Sequence, residues 1–99
     1  MSAPKRTALV TGSTSGIGLA IARRLAGLGY DVAINSFEPE AAVAPVLGDL
    51  QAVSSGRIVY HQADLADEHE SYRLSQDVIA DLGSLDVLVN NAGIQKVAA

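Results

Sequence analysis

Residues 12–18, Gly12-Ser13-Thr14-Ser15-Gly16-Ile17-Gly18, could bind a phosphate group. The segment follows the apolar run Ala8-Leu9-Val10 and precedes a helical pattern. Glycine allows a sharp turn and a close approach by another group. A helix that begins here presents free N–H groups and the positive end of its dipole. These features predict a binding site for a nucleotide pyrophosphate. The alternative is a tight strand–helix turn that binds no ligand.

The spacing Gly-x-x-x-Gly-x-Gly, preceded by Thr11, resembles the cofactor turn of the short-chain dehydrogenase/reductase family. A second motif of that family, Asn90-Asn91-Ala92-Gly93, follows the apolar run Val87-Leu88-Val89. The motifs occur in the family's order, and the resemblance extends from Thr7 to the end of the chain. It implies a Rossmann fold that binds a nicotinamide dinucleotide and an oxidoreductase that transfers hydride at a hydroxyl or ketone carbon.

Four strands are predicted to position these motifs. Short apolar runs indicate parallel strands at residues 7–10, 32–36, 58–62 and 85–89. Their alternation with helical patterns predicts an α/β fold, a Rossmann-like doubly wound parallel sheet with strand order 3-2-1-4 and three helices. The cofactor would lie at the switch between strands 1 and 4. Residues 1–99 are expected to be the N-terminal part of a single NAD(P)-binding domain, with the catalytic part absent.

Three helices are predicted between the strands. The first spans about residues 15–28, with a buried apolar stripe of Ile17, Ile21, Leu25 and Leu28. The second is expected to begin near Ala42, because Pro45 is tolerated only in a first turn. The third is expected to run from a cap at Asp67 to Gly83.

The family resemblance assigns cofactor contacts to three parts of the chain. Asp64 and Leu65 resemble the pair that brackets the adenine ring, although Asp64 could instead cap a turn. Residues 90–93 resemble the segment that lines the riboses, and the asparagines could also tie the central strands together. The residues expected to contact the cofactor, outside the end of the second strand, are Gly12, Ser13, Ser15, Gly16, Ile17, Gly18, Asp64, Leu65, Asn91, Ala92 and Gly93.

The end of the second strand bears on the choice between NAD and NADP. The position for a ribose-binding acid is occupied by Ser36, which is followed by Phe37 and Glu38. No base is present there to bind a 2′-phosphate, and Ser15 stands where NADP enzymes of the family often carry a base. Phe37 and anionic Glu38 disfavour a phosphate, so NAD is the predicted cofactor and NADP the less favoured one. Phe37 could alternatively pack under the adenine-side loop.

The substrate class is indicated by two short stretches. Residues 34–37 and 90–95 resemble the bacterial 3-hydroxybutyrate dehydrogenases, which implies that Gln95 contacts the substrate carboxylate. The segment around Pro45 is closer to the 3-oxoacyl-carrier-protein reductases, the alternative substrate class. The family's catalysis uses a Tyr with a Lys four residues on, and none of Tyr30, Tyr60 and Tyr72 has that lysine. The 99 residues alone are therefore expected to be inactive, which leaves a non-catalytic nucleotide-binding or interaction module as a further alternative.

Composition and charge limit the classes of partner that the chain is expected to bind. The net charge of −4 and the absence of a basic cluster disfavour nucleic acid, and no apolar run approaches a membrane span. The chain has no cysteine, and the spacing of His69 with Glu68 and Glu70 does not suit a shared metal ion. We expect a cytoplasmic protein that takes a small hydroxy or keto substrate and forms a homo-oligomer, a tetramer, at full length.

Overall fold

The computed structural model describes residues 5–91, which form four strands and three helices. In chain order these are β1 (Thr7–Val10), α1 (Gly16–Gly27), β2 (Asp31–Ser36), α2 (Glu40–Val53), β3 (Ile58–Gln62), α3 (Glu68–Leu82) and β4 (Val87–Val89). The strands form one parallel sheet in the order β3-β2-β1-β4. The predicted fold class and strand order are therefore confirmed.

The sheet has a helical layer on each face. On one face, Val10, Val32 and Ile34 pack with Ala22 and Ala26 of α1 and with Leu50 of α2. On the other face, Leu9 and Ala33 pack with Leu74 and Val78 of α3. Neighbouring residues of a strand thus point to opposite layers, and the central strands are buried on both sides, as their continuous apolar sequences require.

The predicted buried stripe of α1 was wrong at both ends. Ile17 is 67% exposed and Leu28 is 61% exposed, whereas Gly18, Ala22 and Ala26 face the sheet. Small residues allow the helix backbone to lie close to the strands. The contact face is therefore made by the smallest residues of the helix, and the large apolar side chains flank it or face solvent.

The predicted start of α2 was also wrong, because the helix begins at Glu40 and contains Pro45. The first turn closes with a hydrogen bond from the Ala42 N–H to the Pro39 carbonyl at 2.9 Å. Proline removes one interior N–H donor, but Pro45 is exposed while Val43 and Leu50 are buried on the opposite side. Packing of this apolar face compensates for the missing hydrogen bond.

Strand β4 is shorter than predicted and lies at one edge of the sheet that residues 5–91 form. The start of β4 is held against β1 by the Asp86 carboxylate, which accepts from the Thr7 N–H at 2.9 Å. Leu85 packs in the α3 layer instead of joining the strand, and Leu88 is 55% exposed. Within the described range, no helix has the length and apolar content that crossing a membrane requires.

Candidate nucleotide-binding site

Two of the three motif glycines adopt backbone conformations that other residues avoid. Gly12 has a φ of 57° and Gly16 a φ of 58°, both in the left-handed region. The first bends the chain away from the end of β1, and the second turns it into α1. These two glycines are therefore required by the shape of the turn.

The third glycine is required by a close approach. A Cβ atom on Gly18 would lie 2.3 Å from the Gly12 carbonyl oxygen and 2.7 Å from Nδ2 of Asn91. The Asn91 amide is buried and donates to that same carbonyl at 3.0 Å. The predicted tie between the central strands is thus present, and it connects the end of β4 to the glycine turn. Thr11 adds a second link, because its N–H donates to the Val89 carbonyl at 3.0 Å.

Ser13 holds the turn against β2. Its hydroxyl donates to the Val10 carbonyl at 2.6 Å and accepts from the Asn35 N–H at 2.8 Å. The Ser13 N–H donates to the Asn35 carbonyl at 2.8 Å, and the Gly12 N–H donates to the Asn35 side-chain oxygen at 3.3 Å. The structure therefore places the Ser13 side chain in the support of the turn, and a contact of Ser13 with the cofactor stays a prediction.

Asn35 is a site residue that the sequence reasoning missed. Its amide nitrogen donates to the His61 carbonyl at 2.9 Å, so this buried side chain joins the turn, β2 and the end of β3. The available signal was an amide side chain next to Ile34, in a strand predicted from its apolar character. A buried amide has to be satisfied by hydrogen bonds, and here it fixes three backbone segments.

The N-terminus of α1 is open to an anion. Ser15 is the N-cap residue, but its hydroxyl makes no capping hydrogen bond, and the first turn holds no acidic residue. The first N–H groups of a helix have no intrahelical partner, and the dipole makes this end positive. Ser15 and Gly16 are exposed here, and Ile17 beside them offers an apolar surface. The arrangement can accept a phosphate group through backbone N–H donors.

A carboxylate stands at the edge of this turn. Oε1 of Glu38 accepts from the Thr14 hydroxyl at 2.9 Å and from the Ser36 hydroxyl at 3.2 Å. The sequence reasoning gave Glu38 a repulsive effect on a phosphate but did not place it in contact with the turn. Ser36, which occupies the position for a ribose-binding acid, is buried. Its hydroxyl lies 2.8 Å from the hydroxyl of Tyr60.

Phe37 does not pack into the protein. Its side chain is 74% exposed, so the proposed packing of Phe37 under the adenine-side loop is not observed within residues 5–91. The loop that carries it, between β2 and α2, lies beside the glycine turn because β1 and β2 are parallel neighbours, and Glu38 of this loop contacts Thr14 of the turn. Phe37 is therefore available to an external group.

Asp64 and Leu65 follow β3 at the carboxyl ends of the parallel strands, where the glycine turn also lies. The Asp64 carboxylate accepts from the Ala66 N–H at 3.0 Å, which is the turn-capping role considered as the alternative. Asp64 is exposed, whereas Leu65 is half-buried against the α3 layer. Their contact with an adenine ring stays a prediction.

Three predicted site residues, Ala92, Gly93 and Gln95, lie outside the described residues. Asn90, just before them, is exposed, and its side-chain oxygen lies 3.4 Å from the Thr11 hydroxyl. Across the part of the chain that is described, no three His, Asp or Glu side chains come close enough together to hold a metal ion. His61 instead pairs with Asp81 at 3.0 Å.

Comparison with known proteins supports the geometry. Residues 6–99 match the family model described as short chain dehydrogenase. Two relatives are D-beta-hydroxybutyrate dehydrogenases. The protein from Cupriavidus necator is 47% identical over 95 residues, and that from Rhizobium meliloti is 42% identical over 92 residues. The matches cover 95% and 93% of this chain and 36% of each relative, so the chain spans about a third of their length.

Solved structures of short-chain dehydrogenases and reductases also superpose on this chain. A short-chain dehydrogenase/reductase from Sinorhizobium meliloti superposes with a TM-score of 0.85 at 41% identity, over 94% of this chain and 42% of that one. A 3-oxoacyl-[acyl-carrier protein] reductase from Brucella melitensis, in complex with NAD, gives 0.79 at 36% identity over 90% of this chain and 34% of that one. The glycine turn, the sheet order and these matches lead to one conclusion: the chain belongs to the short-chain dehydrogenase family.

Proposed function

We propose that this chain is the cofactor-binding part of an oxidoreductase that uses NAD to interconvert a hydroxyl and a ketone. The observation that carries the proposal is the open N-terminus of α1. It is bordered by two glycines in the left-handed conformation and has neither a capping side chain nor an acid in its first turn. A diphosphate would supply the negative charge and the hydrogen-bond acceptors that this end lacks.

The residues present fit a nicotinamide dinucleotide. Backbone N–H groups at residues 16–18 would bind its diphosphate, and a side chain at residue 18 would fill the space between α1 and the turn. When bound, the nicotinamide accepts or supplies the hydride. The further contacts that we propose come from Gly12, Ser13, Ser15, Ser36, Phe37, Asp64, Leu65, Asn91, Ala92 and Gly93.

A preference for NAD over NADP follows from Glu38. Its carboxylate is held beside the turn by Thr14 and Ser36, and no lysine or arginine side chain forms an ion pair with it among residues 5–91. A ribose diol could donate hydrogen bonds to a carboxylate in this region. A 2′-phosphate would place a dianion near a carboxylate, which is unfavourable at short distance.

We propose 3-hydroxybutyrate or a related 3-hydroxy acid as the substrate, with Gln95 as the contact to its carboxylate. The two relatives named D-beta-hydroxybutyrate dehydrogenase support this class. The second candidate is a 3-oxoacyl thioester, which the likeness to the Brucella reductase supports. Both reactions exchange a hydroxyl and a ketone at the third carbon, so one cofactor site serves either.

The reaction itself is proposed for a protein of the relatives' length. The present 99 residues contain no Tyr with a Lys four residues on, so we propose that they bind the cofactor without turnover. A cytoplasmic homotetramer is part of the same proposal for the whole protein. In that protein, the rate of 3-hydroxybutyrate oxidation compared with the rate of 3-oxoacyl thioester reduction would distinguish the two substrate classes.

Calorimetric titration of this chain with NAD and with NADP tests the cofactor site. We expect NAD to bind and NADP to bind at least about tenfold more weakly, because of the Glu38 charge. The Glu38→Gln variant should lower the ratio of NAD affinity to NADP affinity. Glu40→Gln is the matched control, since it removes the same charge two residues on from an exposed position. Failure of the wild-type chain to bind either nucleotide would overturn the proposal.

A further inference from the structure

Strand β3 contributes a side chain to the region beside the glycine turn, although β3 lies at the far edge of the sheet. Tyr60 pairs in register with Ile34 of β2, and its hydroxyl reaches the end of β2 two residues further on. There it lies 3.1 Å from the Ser36 carbonyl oxygen and 2.8 Å from the Ser36 hydroxyl, and it also donates to the Glu38 carbonyl. One hydroxyl therefore contacts both Ser36, the last residue of β2, and Glu38, in the loop before α2.

These contacts continue to the glycine turn. The Ser36 hydroxyl accepts from the Glu38 N–H at 3.1 Å and lies 3.2 Å from Oε1 of Glu38. The same Oε1 accepts from the Thr14 hydroxyl at 2.9 Å. Hydrogen bonds therefore connect β3 with the turn that precedes α1 through Glu38, whose carbonyl accepts from Tyr60 and whose carboxylate accepts from Thr14.

The loop between β2 and α2 has little else to hold it. Phe37 is 74% exposed and Pro39 is exposed, so neither anchors the loop by packing. A further side-chain contact to this loop also comes from β3, because the Gln62 amide donates to the Phe37 carbonyl at 3.0 Å. Burial raises the pKa of the Tyr60 phenol, so the hydroxyl stays protonated and able to donate near neutral pH.

We propose that Tyr60 is a positioning residue for cofactor selectivity, which holds the loop so that the Glu38 carboxylate faces the glycine turn. This inference rests on the proposed function, because selectivity requires a bound dinucleotide. Without the hydroxyl, the Glu38 carbonyl loses its donor, whereas the Ser36 carbonyl keeps the Ala63 N–H at 3.0 Å. The carboxylate can then move away from Thr14 and discriminate less between a ribose diol and a 2′-phosphate.

The test is the ratio of NAD to NADP affinities in Tyr60→Phe, measured by calorimetry on this chain. We expect the ratio to narrow by about threefold to tenfold, the effect of losing one or two hydrogen bonds. Tyr72→Phe is the matched control. It removes an exposed phenol on α3 that makes no hydrogen bond to other residues in the described range, and it should leave the ratio unchanged.

A double variant separates positioning from general destabilisation. If Tyr60 acts through Glu38, Tyr60→Phe should have no further effect on the ratio in a Glu38→Gln background. Should Tyr60→Phe fail to fold, the same ratio is measured in a Gly27→Ala background, because alanine favours the helix and its Cβ atom would meet nothing within 4 Å. A wild-type ratio retained in the folded variant would overturn the inference and leave the proposed function standing. A wild-type chain that binds neither nucleotide would overturn both.

Discussion

The N-termini of α1 and α3 show two different treatments of the same physical requirement. In α3, the Asp67 side chain accepts from the His69 N–H at 2.9 Å, and Glu68 and Glu70 follow in the first turn. In α1, Ser15 makes no side-chain capping bond, and no acid is present in the first turn. A capping side chain contributes about 1 kcal/mol to stability, so α1 lacks a contribution that α3 has.

The difference shows which helix end is completed by the chain itself. The N–H groups and positive dipole of α3 are matched by its own carboxylates, so they have no need of an external anion. At α1 the corresponding groups lie beside a glycine turn and are left open. A missing cap is not sufficient evidence alone, since α2 also begins without a side-chain cap, but α2 has Glu40 in its first turn. The α1 terminus combines the open N–H groups with the glycines.

The largest expected effect comes from closing the space beside α1. Gly18→Ala would place a Cβ atom 2.3 Å from the Gly12 carbonyl oxygen, so the helix or the turn must move. We expect a loss of about 1–3 kcal/mol in the free energy of unfolding, as for an overpacked core. NAD affinity should fall by more than about tenfold, because the N–H groups no longer converge on the diphosphate. Urea unfolding and calorimetry measure the two effects.

Gly27→Ala is the control in the same helix. A Cβ atom there would meet nothing within 4 Å, and the position is helical. This variant should gain up to about 1 kcal/mol from the higher helix propensity of alanine and should bind NAD as the wild type does. Equal tolerance of both alanines would contradict the assigned role of Gly18.

A smaller effect is expected from giving α1 the cap that α3 has. Ser15→Asp should add about 0.5–1 kcal/mol to the free energy of unfolding, because a carboxylate complements the free N–H groups and the dipole. NAD affinity should fall by about tenfold, because the same carboxylate competes with the diphosphate. Opposite changes in stability and affinity, measured by thermal unfolding and calorimetry, would establish that this terminus is kept open for a ligand.

Two further variants test whether the effect of Ser15→Asp comes from its charge and from the α1 terminus. Ser15→Asn caps without a charge, so it should lower NAD affinity less than Ser15→Asp does. At the other helix, Asp67→Ala should cost about 1 kcal/mol of stability and leave NAD affinity unchanged, since the chain's own carboxylates match the charge of that terminus. If Ser15→Asp changed neither quantity, the open end of α1 would have no role in anion binding.

The contrast between the helices also explains what could be predicted from the sequence. The cap at Asp67 and the end of α3 at Gly83 follow from local patterns, because capping residues and left-handed glycines are properties of short segments. The strand order follows from the alternation of strands and helices along the whole chain. The buried face of α1 did not follow, since a helical pattern favours Ile17 whereas the close approach to the sheet requires Gly18 and Ala22.

The position of Glu38 could not be predicted locally either. It depends on a hydroxyl from Tyr60, which is distant in sequence and reaches Glu38 only once β2 and β3 are paired. Asn35 is similar, because its bonds to the glycine turn and to the His61 carbonyl join segments that only the folded sheet brings together. The glycine motif was predictable from its own spacing, and the polar support around it was not.

The smallest expected effect concerns the opposite ends of the same helices. The last turn of α1 contains Arg24, which complements the negative end of the dipole. The last turn of α3 has no basic residue and carries Asp81, which would be unfavourable alone. Two side chains near β3 compensate. Arg57 donates to the Asp81 carbonyl at 3.0 Å and to its carboxylate at 3.1 Å, and His61 pairs with the other carboxylate oxygen at 3.0 Å.

This arrangement predicts a specific pH dependence. The hydrogen bond from His61, followed by that from Arg57, lowers the pKa of Asp81 from its ordinary value of 3.8. The ionised carboxylate therefore adds stability above about pH 3.8, and that stability is lost as the pH falls through the lowered pKa. Because the pair is solvent-exposed, we expect only about 0.5 kcal/mol, measured as the difference in acid unfolding between wild type and Asp81→Asn. Asp77→Asn removes the same charge from α3 and leaves the contact with β3 intact, so it should retain the wild-type loss of stability. A loss that persisted in Asp81→Asn would have to be assigned to other carboxylates, and the C-terminal end of α3 would then need no compensation from β3.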